Sequence, residues 1–339
     1  MRALFPERNW SWIIILILVP CAVCSCSKGS SGDYFLPITA EEELEYSGLT
    51  DPSALDRNNA QIILEEAFMG GTASAGMASP LGSVSADRYH GLSISPAQYA
   101  EKILELIEQA IDSMYQQLAP TGTSAVISQP IDMDGPCGGT CTGTLSIDDE
   151  TGDLSGTLRY NDYCDAGITL DGRVSLTGTI DLFTGDMDMT MVFSNYSVEF
   201  EGVSQTMSGT VSLIALTDSS CLTMNIFVRD DSSGRTCWMR DYLMDVLEYS
   251  TYDELSVSGR FYDPDYGYVV LSTPTAFIVY EEDDYPSQGT LVATGEVGSE
   301  GGNTSAWLVV LSETTYCIYV DEDGDGLSDW DSGAQNWED

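Results

Sequence analysis

From Cys137 onward, the chain is a series of short segments in which apolar and polar residues alternate. Examples are residues 154–160, 206–213 and 254–262, with turn signals such as Asp171-Gly172 between neighbouring segments. Strict alternation places every second side chain on one face of a sheet. Because no helical periodicity separates the segments, consecutive strands should pair antiparallel. The predicted fold class is therefore mainly β, an antiparallel meander forming a curved, barrel-like sheet or a sandwich, preceded by a small α-helical N-terminal region.

The helical region is predicted to cover residues 33–120. A first helix should begin at Asp56 or Asn58, continue through residues 60–68 and end at Gly70-Gly71. A second should run over 95–118, where an apolar stripe recurs at helical spacing. The predicted β domain then covers 121–320, and an Asp-rich segment covers 321–339.

One disulfide can be predicted from strand register. Segments 142–147 and 154–160 form a hairpin around the turn at 149–152. If Ile147 lies opposite Leu154, the same register places Cys137 opposite Cys164. The pairing of the remaining four cysteines is left open by the sequence, and they are Cys141, Cys221, Cys237 and Cys317.

The N-terminus resembles a bacterial lipoprotein leader. An apolar run at 12–19 is too short to span a bilayer and is followed by Val23-Cys24-Ser25-Cys26. Cys26 follows a small residue and is the predicted lipidation site. Residues 1–25 would then be a signal peptide and 26–32 the lipidated cysteine with its flexible tether. In lipoproteins, Ser27 at the next position implies sorting to the outer membrane, on its periplasmic or surface face.

The charge balance excludes several classes of function. The chain has 54 acidic residues against 12 lysines and arginines, a formal net charge of −42. Such a surface repels phosphate backbones, which argues against nucleic-acid binding. The single histidine, His90, argues against Ser-His or Cys-His catalysis and against a multi-histidine zinc site. We therefore identify no catalytic residue.

Residues 321–332 have the ligand spacing of a calcium-binding loop. Carboxylates at positions 1, 3 and 5 can converge on one ion, and glycine at position 6 permits the tight turn. Position 12 is Ser332 instead of the usual glutamate, so Asp331 or Glu338 would have to complete the shell. The alternative is a solvated acidic tail. The predicted Ca²⁺ ligands are Asp321, Asp323, Asp325, Leu327 through its carbonyl, and Asp329.

This loop resembles those of EF-hands and, more closely, of thrombospondin type 3 repeats. Further stretches resemble uncharacterised bacterial outer-membrane lipoproteins, namely residues 46–50, Asn59-Ala60 with Gly70-Gly71, residues 163–165, residues 259–269, Trp330 and Trp337. The resemblance implies lipoprotein status and one recurring architecture, and it implies no activity.

Three functions fit the sequence. The first is a non-enzymatic lipoprotein of the bacterial cell envelope, membrane-anchored and with a calcium-stabilised β domain for structural or partner-binding roles. The second is a carrier of a lipid or another hydrophobic ligand in the cavity of a curved sheet. The third is a carboxylate-dependent glycan hydrolase, which needs two acids in different environments.

Overall fold

The structure, a computed structural model, describes residues 46–75, 126–165, 167–181, 183–200, 202–280, 283 and 285–337. The predicted leader, the lipidation site and the predicted helix at 95–118 lie outside these residues. The described part contains one helix, α1 (Ala60–Ala75), and 15 strands. The strands are β1 (Val126–Asp134), β2 (Gly138–Asp148), β3 (Asp153–Asp165), β4 (Ile168–Ile180), β5 (Met187–Phe200), β6 (Val203–Leu216), β7 (Ser219–Asp230), β8 (Thr236–Glu248), β9 (Tyr252–Asp263), β10 (Gly267–Tyr280), β11 (Gln288–Val297), β12 (Asn303–Ser312), β13 (Thr315–Asp321), β14 (Trp330–Asp331) and β15 (Gln335–Asn336).

All 15 strands form a single antiparallel sheet that is not closed. Strands β1 to β14 are neighbours in chain order, and β15 pairs with β13. The predicted class, a mainly β antiparallel meander with a helical element before it, is confirmed. The meander from β1 to β13 follows from the sequence, since short turns between consecutive strands favour pairing with the strand before and the strand after.

Alternation along each strand gives the sheet an inner and an outer face. In β7 the inner face carries Leu222, Met224 and Ile226, each at most 2% exposed. Equivalent buried positions recur along β2 to β13 and form one hydrophobic core. Burial of one face of every strand is the main apolar contribution to stability.

Helix α1 packs on the inner face of the second half of the sheet, against β8, β9, β11, β12 and β13. Phe68 lies 4.8 Å from Phe277 and 5.5 Å from Trp337, measured between ring centroids. Tyr242 Oη donates a hydrogen bond to the carbonyl of Ala67. The helix begins at Ala60, two residues after the later of the predicted starts. A turn precedes it, in which Asp56 Oδ1 accepts from the N–H groups of Asn58 and Asn59.

The predicted end of α1 at Gly70-Gly71 is wrong, because the helix continues to Ala75. Glycine inside a helix costs only about 1 kcal/mol relative to alanine. Packing of Ile63, Leu64 and Phe68 against the sheet fixes the preceding turns, and tertiary packing of this kind outweighs a local preference.

The strands, like the helix, extend beyond their predicted bounds. The segments predicted at 154–160, 206–213 and 254–262 lie within Asp153–Asp165, Val203–Leu216 and Tyr252–Asp263. The hairpin register is confirmed from Ile147 opposite Leu154 to Thr140 opposite Asn161. It then shifts by one residue, so Gly138, and not Cys137 as predicted, lies opposite Cys164. The predicted Cys137–Cys164 disulfide is nevertheless present, with a Cα–Cα distance of 5.1 Å.

The sheet is bent by bulges that face glycines on the neighbouring strand. Asp162, Asn195 and Asp241 have φ angles of 45–48°, and the pairing register shifts at each of them. A buried tyrosine follows each bulge residue. The carbonyl groups of the three bulge residues face Gly139, Gly172 and Gly259 respectively, and all three glycines have positive φ. Bulges of this kind increase twist and bend the strand.

We expect Gly259→Ala to lower the free energy of unfolding by about 3 kcal/mol. The added Cβ would lie 2.3 Å from the carbonyl oxygen of Asp241, and φ is +121°. The control is Gly234→Ala, where φ is +72° and no atom lies within 4 Å of the added Cβ. That variant should lose only about 1 kcal/mol. Urea unfolding of both variants measures the difference, and equal losses would refute a role for the close approach.

Candidate metal centre

A short hairpin at the C-terminus carries the Asp-rich loop. Strand β13 ends at Asp321, and β14 returns beside it, with Tyr319 opposite Asp331 and Val320 opposite Trp330. The loop of residues 322–329 therefore begins and ends on paired strands. Both of its ends are fixed by the sheet, although no helix flanks it as in an EF-hand.

Three of the predicted ligands converge in this loop. Carboxylate oxygens of Asp321, Asp323 and Asp325 all lie within 4.8 Å of one another. Asp321 is 1% exposed, and its two oxygens accept hydrogen bonds from the N–H groups of Gly324 (2.7 Å) and Gly326 (2.8 Å). Gly326 has φ +86°, so the turn requires glycine at this position. The arrangement suits a hard cation with oxygen ligands.

Electrostatics at the loop favour a cation. The pKa of Asp323 is raised by partial desolvation and by the charges of Asp329, Asp325 and Asp321, although a hydrogen bond from the Asp325 N–H acts in the opposite direction. A raised carboxylate pKa means that the charged form is disfavoured by its surroundings. A divalent cation among the three carboxylates would remove this penalty.

The remaining predicted ligands are placed differently. Asp329 Oδ2 accepts from the Glu322 N–H at 2.9 Å, and the Leu327 N–H donates to Asp325 at 2.7 Å. Both residues therefore shape the loop, in addition to any part in binding.

The position-12 residue does not close the shell. Ser332 Oγ accepts from the Ile318 N–H and donates to the carbonyl of Gly333, which ties it to the neighbouring strand. Asp331 Oδ1 accepts from the Gly333 N–H. Glu338 lies outside the described residues. The three clustered aspartates therefore form the part of the site that the structure brings together.

The loop is also connected to the start of the described chain. Arg57 donates to Glu322 through Nε (2.8 Å) and Nη2 (3.0 Å), and its N–H donates to the same carboxylate. Glu322 lies between two of the clustered aspartates in sequence. The loop thus holds the segment that leads into α1.

This segment, residues 49–57, is here called the N-terminal strap. Ser53 lies between two strands that separate beyond Val270 and Thr294, accepting from the Glu296 N–H and donating to the Tyr268 carbonyl. A Cβ on Gly295 would lie 2.1 Å from the Ser53 carbonyl oxygen. The strap therefore fills a gap in the sheet before it reaches the acidic loop.

A second group of possible ligands lies beside α1. Oxygens of Glu66 and Asp263 and the sulfur of Cys237 lie within 4.8 Å of one another. Arg235 already binds both acids, at 2.9 Å to Glu66 and 2.8 Å to Asp263, and it also contacts Asp265. An arginine supplies the positive charge that a cation would bring, so this group is an internal ion-pair network.

Burial governs the electrostatics of this network. Desolvation raises the pKa of Glu66, while Arg235 acts in the opposite direction. Burial also raises the pKa of the Cys237 thiol, and the negative charges of Glu66 and Asp263 add to it. Cys237 is not disulfide-bonded, and neither are Cys141, Cys221 and Cys317. Asp263 is fully buried; Arg235 is its ionic partner, and the N–H groups of Asp265 and Tyr266 donate to its Oδ1.

We expect Arg235→Met to lower the free energy of unfolding by about 3 kcal/mol, because it removes the positively charged partner of the carboxylates of Glu66 and Asp263. The matched control is Arg229→Met, which removes a surface pair with Asp231. That variant should lose less than about 1 kcal/mol. Chemical unfolding at pH 7 compares them, and a similar small loss in both would show that Asp263 is adequately solvated without Arg235.

Sequence reasoning found the acidic loop but missed both arginine links. Arg57 and Glu322 are 265 residues apart, and Arg235 and Glu66 are 169 apart. The scarcity of positive charge was a usable signal, since it indicates that each arginine pairs with a carboxylate. It could not identify which carboxylate, because an arginine in so acidic a chain has many candidate partners.

Comparison with known proteins gives no match to a family model, a curated protein or a solved structure. Among the described residues, none of the helical structure is both long and apolar enough to cross a membrane.

Proposed function

We propose that this protein is a non-enzymatic lipoprotein of the bacterial cell envelope whose β domain is stabilised by calcium and serves a structural or partner-binding role. The observation that carries the proposal is the convergence of Asp321, Asp323 and Asp325 in a loop fixed to the sheet. Calcium at this point would act structurally, since the loop contacts the N-terminal strap through Glu322 and the β11–β12 turn through Asp323.

The effect of the ion can be traced through three contacts. Besides the link from Glu322 to Arg57, the Glu300 N–H donates to the carbonyl of Asp323 at 2.9 Å, which connects the loop to the β11–β12 turn. The third connection is the β13–β14 hairpin. An ion that orders the loop would therefore stabilise the strap, one turn and the last full strand together.

We expect calcium to raise the unfolding temperature by about 5–10 °C at a concentration about 100 times Kd, where linkage contributes about 2.7 kcal/mol. The measurement is thermal unfolding with calcium against chelator. Asp323→Asn with Asp325→Asn should abolish the rise. The control, Glu150→Gln with Asp153→Asn, removes two exposed charges in the β2–β3 turn and should retain it. If both double variants respond like the unaltered protein, calcium acts elsewhere on the acidic surface.

The anchor is supported by the leader motif and by the position of Cys26. When the full gene product is made in bacteria, we expect it to enter the detergent phase in a Triton X-114 partition, because a diacylated cysteine adds long apolar chains. Cys26→Ala should move it to the aqueous phase, and Cys24→Ala should leave it with the detergent. If only the Cys24 variant leaves the detergent phase, then Cys24 and not Cys26 carries the lipid.

The two alternatives have less support. Inner-face side chains in the described residues are nearly all buried, which gives no observation in favour of a ligand cavity. The close pair Glu66 and Asp263 is bridged by Arg235, and this is not the arrangement of two carboxylates with separate acid and base roles.

A further inference from the structure

A group of aromatic side chains lies on the outer face of β7 to β10, apart from the main core. Phe227, Trp238 and Tyr262 are each at most 6% exposed, and Tyr46 and Tyr268 pack against them. Ring centroids of Trp238 and Tyr262 are 4.5 Å apart, and those of Tyr262 and Tyr268 are 5.1 Å apart. The last three rings therefore form a continuous row across β8, β9 and β10.

Two arginines lie on this aromatic row. Arg240 and Arg260 are directly opposite each other on β8 and β9. The Cζ atom of Arg240 is 5.0 Å from the ring centroid of Trp238, and that of Arg260 is 5.9 Å from the ring centroid of Tyr268. Both arginines are partly open to solvent. Cation–π attraction therefore holds two guanidinium groups on the same row of rings, where a solute can reach them.

The protein compensates these two positive charges poorly. Opposite residues of an antiparallel pair have Cβ atoms about 5 Å apart, and like charges at such positions are destabilising. Arg260 forms neither an ion pair nor a hydrogen bond with the part of the chain that the structure describes. Arg240 lies 3.8 Å from Asp241, the longest ion pair among the described residues. The chain has 54 acidic residues, yet none of the described ones is bound closely by this pair of arginines.

A second pair of opposite arginines shows what the ring contacts add. Arg159 and Arg173 face each other on β3 and β4, and both are exposed. Arg159 donates to Asn161 at 3.2 Å, and no cation–π contact within the described ranges involves either arginine. Exposed side chains of this length can separate in water, whereas the rings restrict Arg240 and Arg260. Preorganised donors lose less entropy when they bind a ligand.

The chemistry of the pair matches a phosphate group. A guanidinium presents N–H donors in a planar fork that fits two oxygens of a carboxylate or a phosphate. One carboxylate has only two oxygens to share between two forks. A phosphate monoester has three free oxygens and a charge of about −1.5 to −2 at pH 7, which balances two arginines.

We propose that Arg240 and Arg260 form a binding site for a small molecule that carries a phosphate group. The formal net charge of −42 repels an extended polyanion or an anionic bilayer. A single phosphate group experiences chiefly the nearby arginines, because charges beyond about 8 Å are screened at physiological salt. The site goes beyond the function proposed above, and it requires neither the calcium loop nor the anchor.

The test is phosphorus NMR on the purified full chain, with inorganic phosphate and glycerol 3-phosphate as the two probes. Chelator is present throughout, so that no metal ion can bridge a probe to the Asp-rich loop. Line broadening during titration at constant ionic strength gives Kd. Both probes should saturate one site, and their affinity should fall as salt is raised.

The decisive variant is Arg240→Gln with Arg260→Gln. It should raise Kd for both probes at least about tenfold, because charge-assisted hydrogen bonds are lost. The matched control is Arg159→Gln with Arg173→Gln, which removes the same charge from another pair of opposite arginines and should stay within about twofold. Thermal unfolding verifies that both variants are folded.

A gain of binding provides a second measurement. Asp241→Asn removes the carboxylate that competes with phosphate for Arg240, so Kd should fall at least about threefold. Asp241 has a φ of 48°, a conformation that asparagine adopts readily. If the arginines served only to cover the aromatic rings, this substitution would leave Kd unchanged.

Three outcomes would overturn the proposal. Titrations that never saturate would mean that no site exists. Equal Kd values for the two double variants would mean that phosphate binds exposed arginines without preference. Binding of phosphatidylglycerol vesicles that needs Arg240 and Arg260, without binding of glycerol 3-phosphate, would make this face a membrane contact. Each result is independent of the calcium titration and of the detergent partition.

Discussion

The structure depends on the bending of one very wide sheet. A single antiparallel sheet has two faces, and here one face of nearly every strand is apolar. Among the described residues, α1 packs on that face. Removing apolar area from water contributes about 25 cal/mol for each Å². The bulges at Asp162, Asn195 and Asp241 bend the strands that carry this face.

The bending depends on the strand register and on which residues face each bulge, and the register is easier to predict from the sequence. The register of the β2–β3 hairpin follows from alternation around a single turn, so it could be predicted, together with the Cys137–Cys164 disulfide. A bulge depends on which residue faces it across the sheet, as with Gly259 and Asp241. The sequence does carry a partial signal, an aspartate or asparagine before a buried tyrosine, at 162–163, 195–196 and 241–242. Its meaning depends on the facing glycines, which lie on separate strands.

The same division applies to the site. The three converging aspartates lie within five consecutive residues, and local turn geometry is enough to bring them together, so spacing alone predicted them. The contact between the loop and the N-terminal strap could not be predicted. Arg57 reaches Glu322 because Ser53 of the strap bonds to Tyr268 and Glu296 on the two neighbouring strands. Ser332, at position 12 of the motif, was expected not to supply the usual closing ligand, but its actual role could not be predicted. A hydrogen bond from the Ile318 N–H fixes it to the neighbouring strand.

The distribution of positive charge connects these features. Four of the described arginines, Arg57, Arg229, Arg235 and Arg240, form ion pairs with nearby carboxylates. Where stability needs a cation inside the fold, as at Asp263, the chain supplies its own. In the Asp-rich loop the arginine that arrives, Arg57, pairs with Glu322, whereas Asp321, Asp323 and Asp325 converge on one another. Carboxylates spaced this closely suit a small ion with oxygen ligands better than a second guanidinium group.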